Sequence, residues 1–166
     1  MPTDTVVHQL AIRAGNRLRD ERLMLATAES CTGGMVATAI TDISGSSGWF
    51  ERGFVTYSNH AKSEMIGVPS DMIDKHGAVS EPVARAMAEG ALRNSRAQVS
   101  LAITGIAGPG GGTETKPVGM VSFGWSNRLH TVVETVVFKG DRERIRVQAA
   151  EHALRGLLKL LEERER

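Results

Sequence analysis

The stretch that most constrains this chain is Ala26-Thr27-Ala28-Glu29-Ser30-Cys31-Thr32-Gly33-Gly34. Residues 24–28 read as a short buried strand and residues 33–42 as a helix packed on it. The hydroxyls and glycines between them therefore form a strand-to-helix turn, where backbone N–H groups lack helical partners and small side chains let a ligand approach. A second turn of this kind, residues 104–112, holds five glycines and a proline in nine residues after another apolar run. Two such turns, each at the end of a strand, outline a pocket.

The remaining pattern supplies the frame. Val7, Leu10, Ala11, Ala14 and Leu18 recur at helical spacing over residues 5–21, with Asp4 placed to cap. Residues 44–48 break the pattern as a loop, and residues 49–58 follow as a strand. A short helix capped by Ser58 or Asn59 begins next, then a polar stretch around Pro69 and Gly77. Ser80 caps a clearer helix with Pro82 in its first turn. Residues 97–103 alternate as a strand, and residues 118–125 and 131–138 form a hairpin. Val147, Ala150, Leu154, Leu157, Leu158 and Leu161 make the stripe of a last helix capped by Asp141, with Leu160 just off it. This order predicts an α/β fold: a single layered α/β/α domain over residues 1–166, its mixed sheet including a C-terminal antiparallel hairpin.

Composition excludes several classes of function. Twenty basic residues nearly balance nineteen acidic ones, for a net charge of +1, so nothing in the charge points to nucleic acid. Cys31 is the only cysteine, which rules out a disulfide within the chain and a thiolate metal cluster. His60 and His76 have no second ligand at metal spacing, so no metal and no cofactor is expected. The acid near the N-terminus and the lack of a long apolar run predict a cytoplasmic protein with no membrane segment.

The candidate chemistry is nucleophilic. Ser30, Ser47, Tyr57 and Lys62 are the residues to consider, since a serine attacks a carbonyl only beside a base, and a lysine acts as one only when burial or a nearby cation lowers its pKa. Thr32, Gly33, Thr104 and Gly105 are expected to bind substrate through the two turns. Among the arginines that open the last helix, Arg144 is the choice for a phosphate or carboxylate, with Arg142 and Arg146 read equally well as solvated or paired. The first turn taken alone serves equally as a helix cap with glycines for close packing.

Four segments together resemble a known family. They are residues 27–34, residues 53–59 with Lys62, Gly77-Ala78-Val79-Ser80, and residues 104–109 with the glycines that follow. They resemble the C-terminal domain of the competence- and damage-inducible protein CinA, whose standalone members deamidate nicotinamide mononucleotide. That resemblance covers nearly the whole chain. It implies a serine, tyrosine and lysine group at Ser47, Tyr57 and Lys62, with Ser30, Thr104 and Arg144 also functional. In the expected mechanism Ser47 attacks the amide carbon, Lys62 carries the proton and Tyr57 orients the exchange, with Ser30 as the other candidate nucleophile. The expected partners are a small nucleotide substrate and a second copy of the chain in a homodimer. The alternatives are a noncatalytic nucleotide-binding module and an amidohydrolase for another carboxamide.

Overall fold

The computed structural model describes residues 5–163. In chain order it contains α1 (Val6–Asp20), β1 (Leu25–Glu29), α2 (Met35–Thr41), a 3-10 turn (Ser46–Gly48), β2 (Phe50–Val55), α3 (Asn59–Ile66), α4 (Ser70–His76), α5 (Glu81–Arg93), β3 (Val99–Gly105), β4 (Met120–Ser126), β5 (Thr131–Val137) and α6 (Arg142–Glu163). The five strands form one mixed sheet in the order β2-β1-β3-β4-β5. β1 pairs in parallel with β2 and β3, and the β4–β5 hairpin is antiparallel to β3.

The two faces of the sheet are built from different side chains. Leu25, Leu101, Ile103, Val121, Phe123 and Trp125 form one core with α1, α2 and α6. The other face carries Ala26, Ala28 and Ala102 beneath α5, so that helix can come close. The Ser100 hydroxyl donates to the Ala88 carbonyl at 2.7 Å, and a Cβ at Gly124 would stand 2.5 Å from the Ala84 carbonyl oxygen. A glycine is needed at that crossing because a methyl group there would collide with backbone.

Most helix ends follow the residue chemistry. Ser58 and Ser80 accept from Ala61 N and Val83 N, and Asp141 accepts from Arg144 N at 2.9 Å. At α1 the cap is Thr5, which accepts from His8 N, while Asp4 lies outside the described residues. The polar stretch after α3 contains a helix, α4, whose only buried residue is Ile73. With one buried residue in seven and a partly buried Met72 beside it, α4 leaves no periodic stripe to read. Leu160, off the expected stripe, is also buried, since α6 packs on α1 and on β3 and β4 together.

The topology positions the site. From β1 the chain passes through α2 to β2 on one side, while β3 leads to β4 on the other. The carboxyl ends of β1 and β3 thus flank a point where the connections diverge, the place where open α/β sheets hold ligands. Among the described residues, no helix is long and apolar enough to cross a membrane.

Candidate active site

A cavity of about 230 Å3 opens at those strand ends. Ser30 and Cys31 line it after β1, Tyr57, Asn59 and Lys62 after β2, Thr104 and Gly105 at the end of β3 with Ala107 just beyond, and Arg142 from α6. Among the described residues no carboxylate is in its wall.

Lys62 is the centre of the site. It lies on the inward side of α3 one turn before Ile66, and only 1% of its surface is exposed. Its Nζ lies 3.1 Å from Ser30 Oγ, 3.1 Å from the Thr56 carbonyl and 3.2 Å from the Tyr57 carbonyl. No carboxylate forms an ion pair with it among the described residues. Burial pushes its pKa below the usual lysine value. A thiolate at Cys31 would oppose that shift, but burial raises the Cys31 thiol to about 11 and keeps it protonated at neutral pH. Nζ donates in all three contacts, and the Ser30 hydroxyl in turn donates to the Tyr57 carbonyl at 3.3 Å; loss of one proton from Nζ would leave a lone pair beside the serine hydroxyl.

The two serines are separated. Ser30 follows β1 directly, and its N–H donates to the Ile103 carbonyl at 2.9 Å, which ties it to the end of β3. Ser47 is exposed in the 3-10 turn that precedes β2. β1 and β2 run parallel, and Leu25 N donates to the Trp49 carbonyl at the amino end of the sheet. Ser47 therefore sits at the end opposite the cavity, and this chain does not bring it to Lys62. The expected pairing of Ser47 with Lys62 is replaced by Ser30 with Lys62.

Three further expectations change. Tyr57 is 62% exposed, and the part of the residue that meets Lys62 is its carbonyl oxygen. Its phenol instead accepts from Arg142 at 3.4 Å. Thr32 and Gly33 stand outside the cavity wall: the Thr32 hydroxyl donates to Glu29 Oε1 at 2.7 Å, and the Gly33 N–H donates to the Ser30 carbonyl. Arg144 points away, lining a separate depression with Lys139 and Gln148. Arg142 takes its place, with Nη1 donating to the Gly108 carbonyl at 2.7 Å. Arg146, one turn on, donates to the carbonyls of Cys31 and Thr32 at 3.0 and 3.2 Å. Residues 142 and 146 share a helix face that residue 144 does not, and that four-residue spacing was the sequence signal for which arginines face the strand ends.

Thr104 and Gly105 do line the cavity. The Thr104 hydroxyl donates to the Ala78 carbonyl at 2.9 Å, and a Cβ at Gly105 would lie 2.7 Å from Val121 Cγ2 and 3.1 Å from Cys31 Sγ. Among the described residues no group of three or more His, Cys, Asp or Glu gathers at metal-binding distance.

An open α/β sheet carrying a buried hydroxyl beside a buried amine, with an arginine in the same cavity at its switch point, has the layout of a small-molecule site. The chain belongs to the CinA C-terminal domain family, which matches residues 7–161. It is 52% identical over 156 residues to the nicotinamide-nucleotide amidohydrolase PncC of Escherichia coli strain K12, covering 93% of this chain and 94% of that one. The protein of the same name from Enterobacter agglomerans is 47% identical over 154 residues, covering 92% and 94%. Among solved structures, the competence/damage inducible protein CihA of Agrobacterium tumefaciens superposes with a TM-score of 0.93 at 42% identity, covering 96% of this chain and 98% of that one.

Proposed function

We propose that this protein hydrolyses the carboxamide of nicotinamide mononucleotide to nicotinic acid mononucleotide and ammonia, with Ser30 as nucleophile and Lys62 as general base. The observation that carries the reading is the buried Lys62 Nζ, 3.1 Å from Ser30 Oγ and with no carboxylate partner among the described residues. An amine so placed loses its proton more readily than a surface lysine, because burial disfavours the charged form. The names and high identity of the two PncC relatives support the substrate.

The steps balance with these groups alone. Ser30 Oγ attacks the amide carbon as its proton passes to Lys62 Nζ. The tetrahedral oxyanion that forms needs backbone donors. The N–H of Cys31, directly after the nucleophile and in the cavity wall, is placed as that of the residue following the serine in other hydrolases. Lys62 then protonates the departing ammonia, leaving an acyl ester on Ser30. Water attacks the ester as its proton passes to Lys62, and Lys62 returns that proton to Ser30 Oγ as the C–O bond breaks, releasing the nicotinic acid, which ionises, and restoring both groups. The electron-poor pyridinium ring eases both attacks. Arg142 is the group placed to meet the 5′-phosphate, because its guanidinium is in the cavity wall with donors beyond those given to Gly108 and Tyr57.

A noncatalytic nucleotide-binding module would have no use for a base beside a hydroxyl, and the buried contact between Lys62 and Ser30 favours the enzyme. The test measures ammonia release from nicotinamide mononucleotide, nicotinamide riboside and a panel of unrelated carboxamides. Preference for the nucleotide is expected. A better substrate elsewhere in the panel would reassign the reaction, and no release from any amide would leave the binding module. We also infer cytoplasmic residence, where nucleotide pools lie, and a homodimer across the edge strand β2, which exposes Val55. A monomer mass by light scattering would reject the dimer.

A further inference from the structure

We propose that Glu29 is a positioning residue for the serine nucleophile, a role that rests on the reading of Ser30 given above. Glu29 ends β1 with 1% of its surface exposed, yet it pairs with no basic side chain among the described residues. Its carboxylate reaches forward over its own turn. Oε1 accepts from the Thr32 hydroxyl at 2.7 Å and from Val36 N–H at 3.0 Å, and Oε2 accepts from Ala37 N–H at 3.1 Å.

The residue preceding α2 explains why this reach is needed. Gly34 caps the helix with φ +103 and has no side chain to offer its free N–H groups. A residue upstream therefore supplies the acceptor, and a carboxylate at a helix start is favoured by the helix dipole. The consequence for function lies in what the reach encloses. Residues 30–34 form a loop closed between the Glu29 side chain and the first turn of α2, and Ser30 is its first residue.

The backbone of Glu29 is fixed independently. It pairs with Ile103 of β3 and Val55 of β2, and its carbonyl accepts from Thr56 N–H at 2.8 Å. Arg146 holds the outer side of the loop through the carbonyls of Cys31 and Thr32. A carboxylate inside and a guanidinium outside hold the loop from both sides, in the conformation that brings Ser30 Oγ to 3.1 Å from Lys62 Nζ. Glu29 itself does not line the cavity, so it acts through Ser30 and not on substrate.

Glu29→Gln in the full chain tests the assignment. The variant keeps size and one acceptor but turns an amide N–H toward either Ala37 N–H or the Val36 and Thr32 donors. Displacing the nucleophile by a fraction of an ångström to an ångström lowers kcat by as much as about 100-fold. The expected result is a fall in kcat with KM within about threefold and the pH of half-maximal rate unchanged, since neither the phosphate contact nor Lys62 is touched. Thr32→Val, which removes one of the three hydrogen bonds at nearly constant volume, gives a smaller fall of the same kind.

A second readout is independent of the substrate. Phenylmethanesulfonyl fluoride sulfonylates an activated serine: the Oγ–S bond forms, S–F breaks, fluoride leaves and Lys62 takes the proton. The rate at which Ser30 is labelled falls in parallel with kcat in both variants. If the wild-type protein releases no ammonia from nicotinamide mononucleotide, the substrate is wrong, while labelling still reports on Glu29. Wild-type kcat and labelling in Glu29→Gln overturn the proposal. So does a change confined to KM, or loss of fold in both variants, which assigns a purely structural role.

Discussion

The turns at residues 30–34 and 44–48 have nearly the same composition and opposite surroundings. Each combines hydroxyls with two glycines. The first follows the carboxyl end of β1, the second precedes the amino end of β2, and the parallel pairing of these strands separates them by roughly 17 Å of strand. At the first end a lysine is buried beside the serine; at the second, Ser47 is exposed to water. A hydroxyl gains reactivity from a neighbouring base and from exclusion of solvent, and only the topology decides which turn receives them.

The largest effect should come from separating the pair at the first turn. Lys62→Met preserves an unbranched chain in the buried slot while removing the base, and ammonia release should fall by about 10²–10⁴-fold, the usual contribution of a positioned general base. Ser30→Ala should lower it at least as far. Turnover within a few-fold of wild type for either variant would move the chemistry away from the first turn.

Next in size is the contrast between the two arginines. Arg142→Ala should raise KM for the nucleotide by about 10- to 100-fold, the range for losing a charged hydrogen-bonded contact, with a far smaller change for the riboside that lacks the phosphate. Arg144→Ala should leave both KM values near wild type. Equal effects on nucleotide and riboside would remove the phosphate from Arg142.

How much of this was legible depends on the range of the interaction involved. The strands, the hairpin and the caps at Ser58, Ser80 and Asp141 are local, and residue chemistry shows them. Lys62 was legible as well, a charged residue one turn from Ile66 on the inward side of a helix. Helical phase separates Arg142 from Arg144, and that signal was present although the position in the first turn outweighed it. Ser47 could not be placed, because the register of β1 against β2 joins residues some 25 apart and depends on the packing of the whole sheet. Glu29 was hidden for another reason: its acceptors serve N–H groups seven and eight residues ahead, an arrangement outside the usual capping spacing.

The pH dependence provides a smaller signal that isolates the lysine. Burial lowers the Lys62 pKa, so catalysis, which needs the neutral amine, should rise with pH through that lowered value and level off before the ordinary lysine range. Stability carries the same sign. Between the lowered folded pKa and about 10.4 in the unfolded chain, the unfolded state binds the extra proton, so unfolding free energy rises with pH there. Cys31 acts oppositely. Raised to about 11 when folded, it binds a proton that the unfolded chain has released from about pH 9 upward, and this lowers stability. Denaturant titrations of the wild type against Lys62→Met therefore separate the lysine from the cysteine, which both chains share. Lys62→Met should flatten the rise, and an unchanged slope would mean that Lys62 stays charged in the folded protein.

The smallest effect belongs to Ser47, and it bears most directly on the comparison between the turns. Within one chain Ser47 has no route to Lys62, since β2 lies between its turn and the cavity. Ser47→Ala should keep ammonia release within about twofold of wild type and, at an exposed position, change stability by less than about 0.5 kcal/mol. A loss approaching that of Ser30→Ala would require a second copy to deliver Ser47 to the cavity. Mixing Ser47→Ala with Lys62→Met then decides the point. Two inactive chains that regain activity together share a site across an interface, whereas chains that stay inactive place the defect within each one.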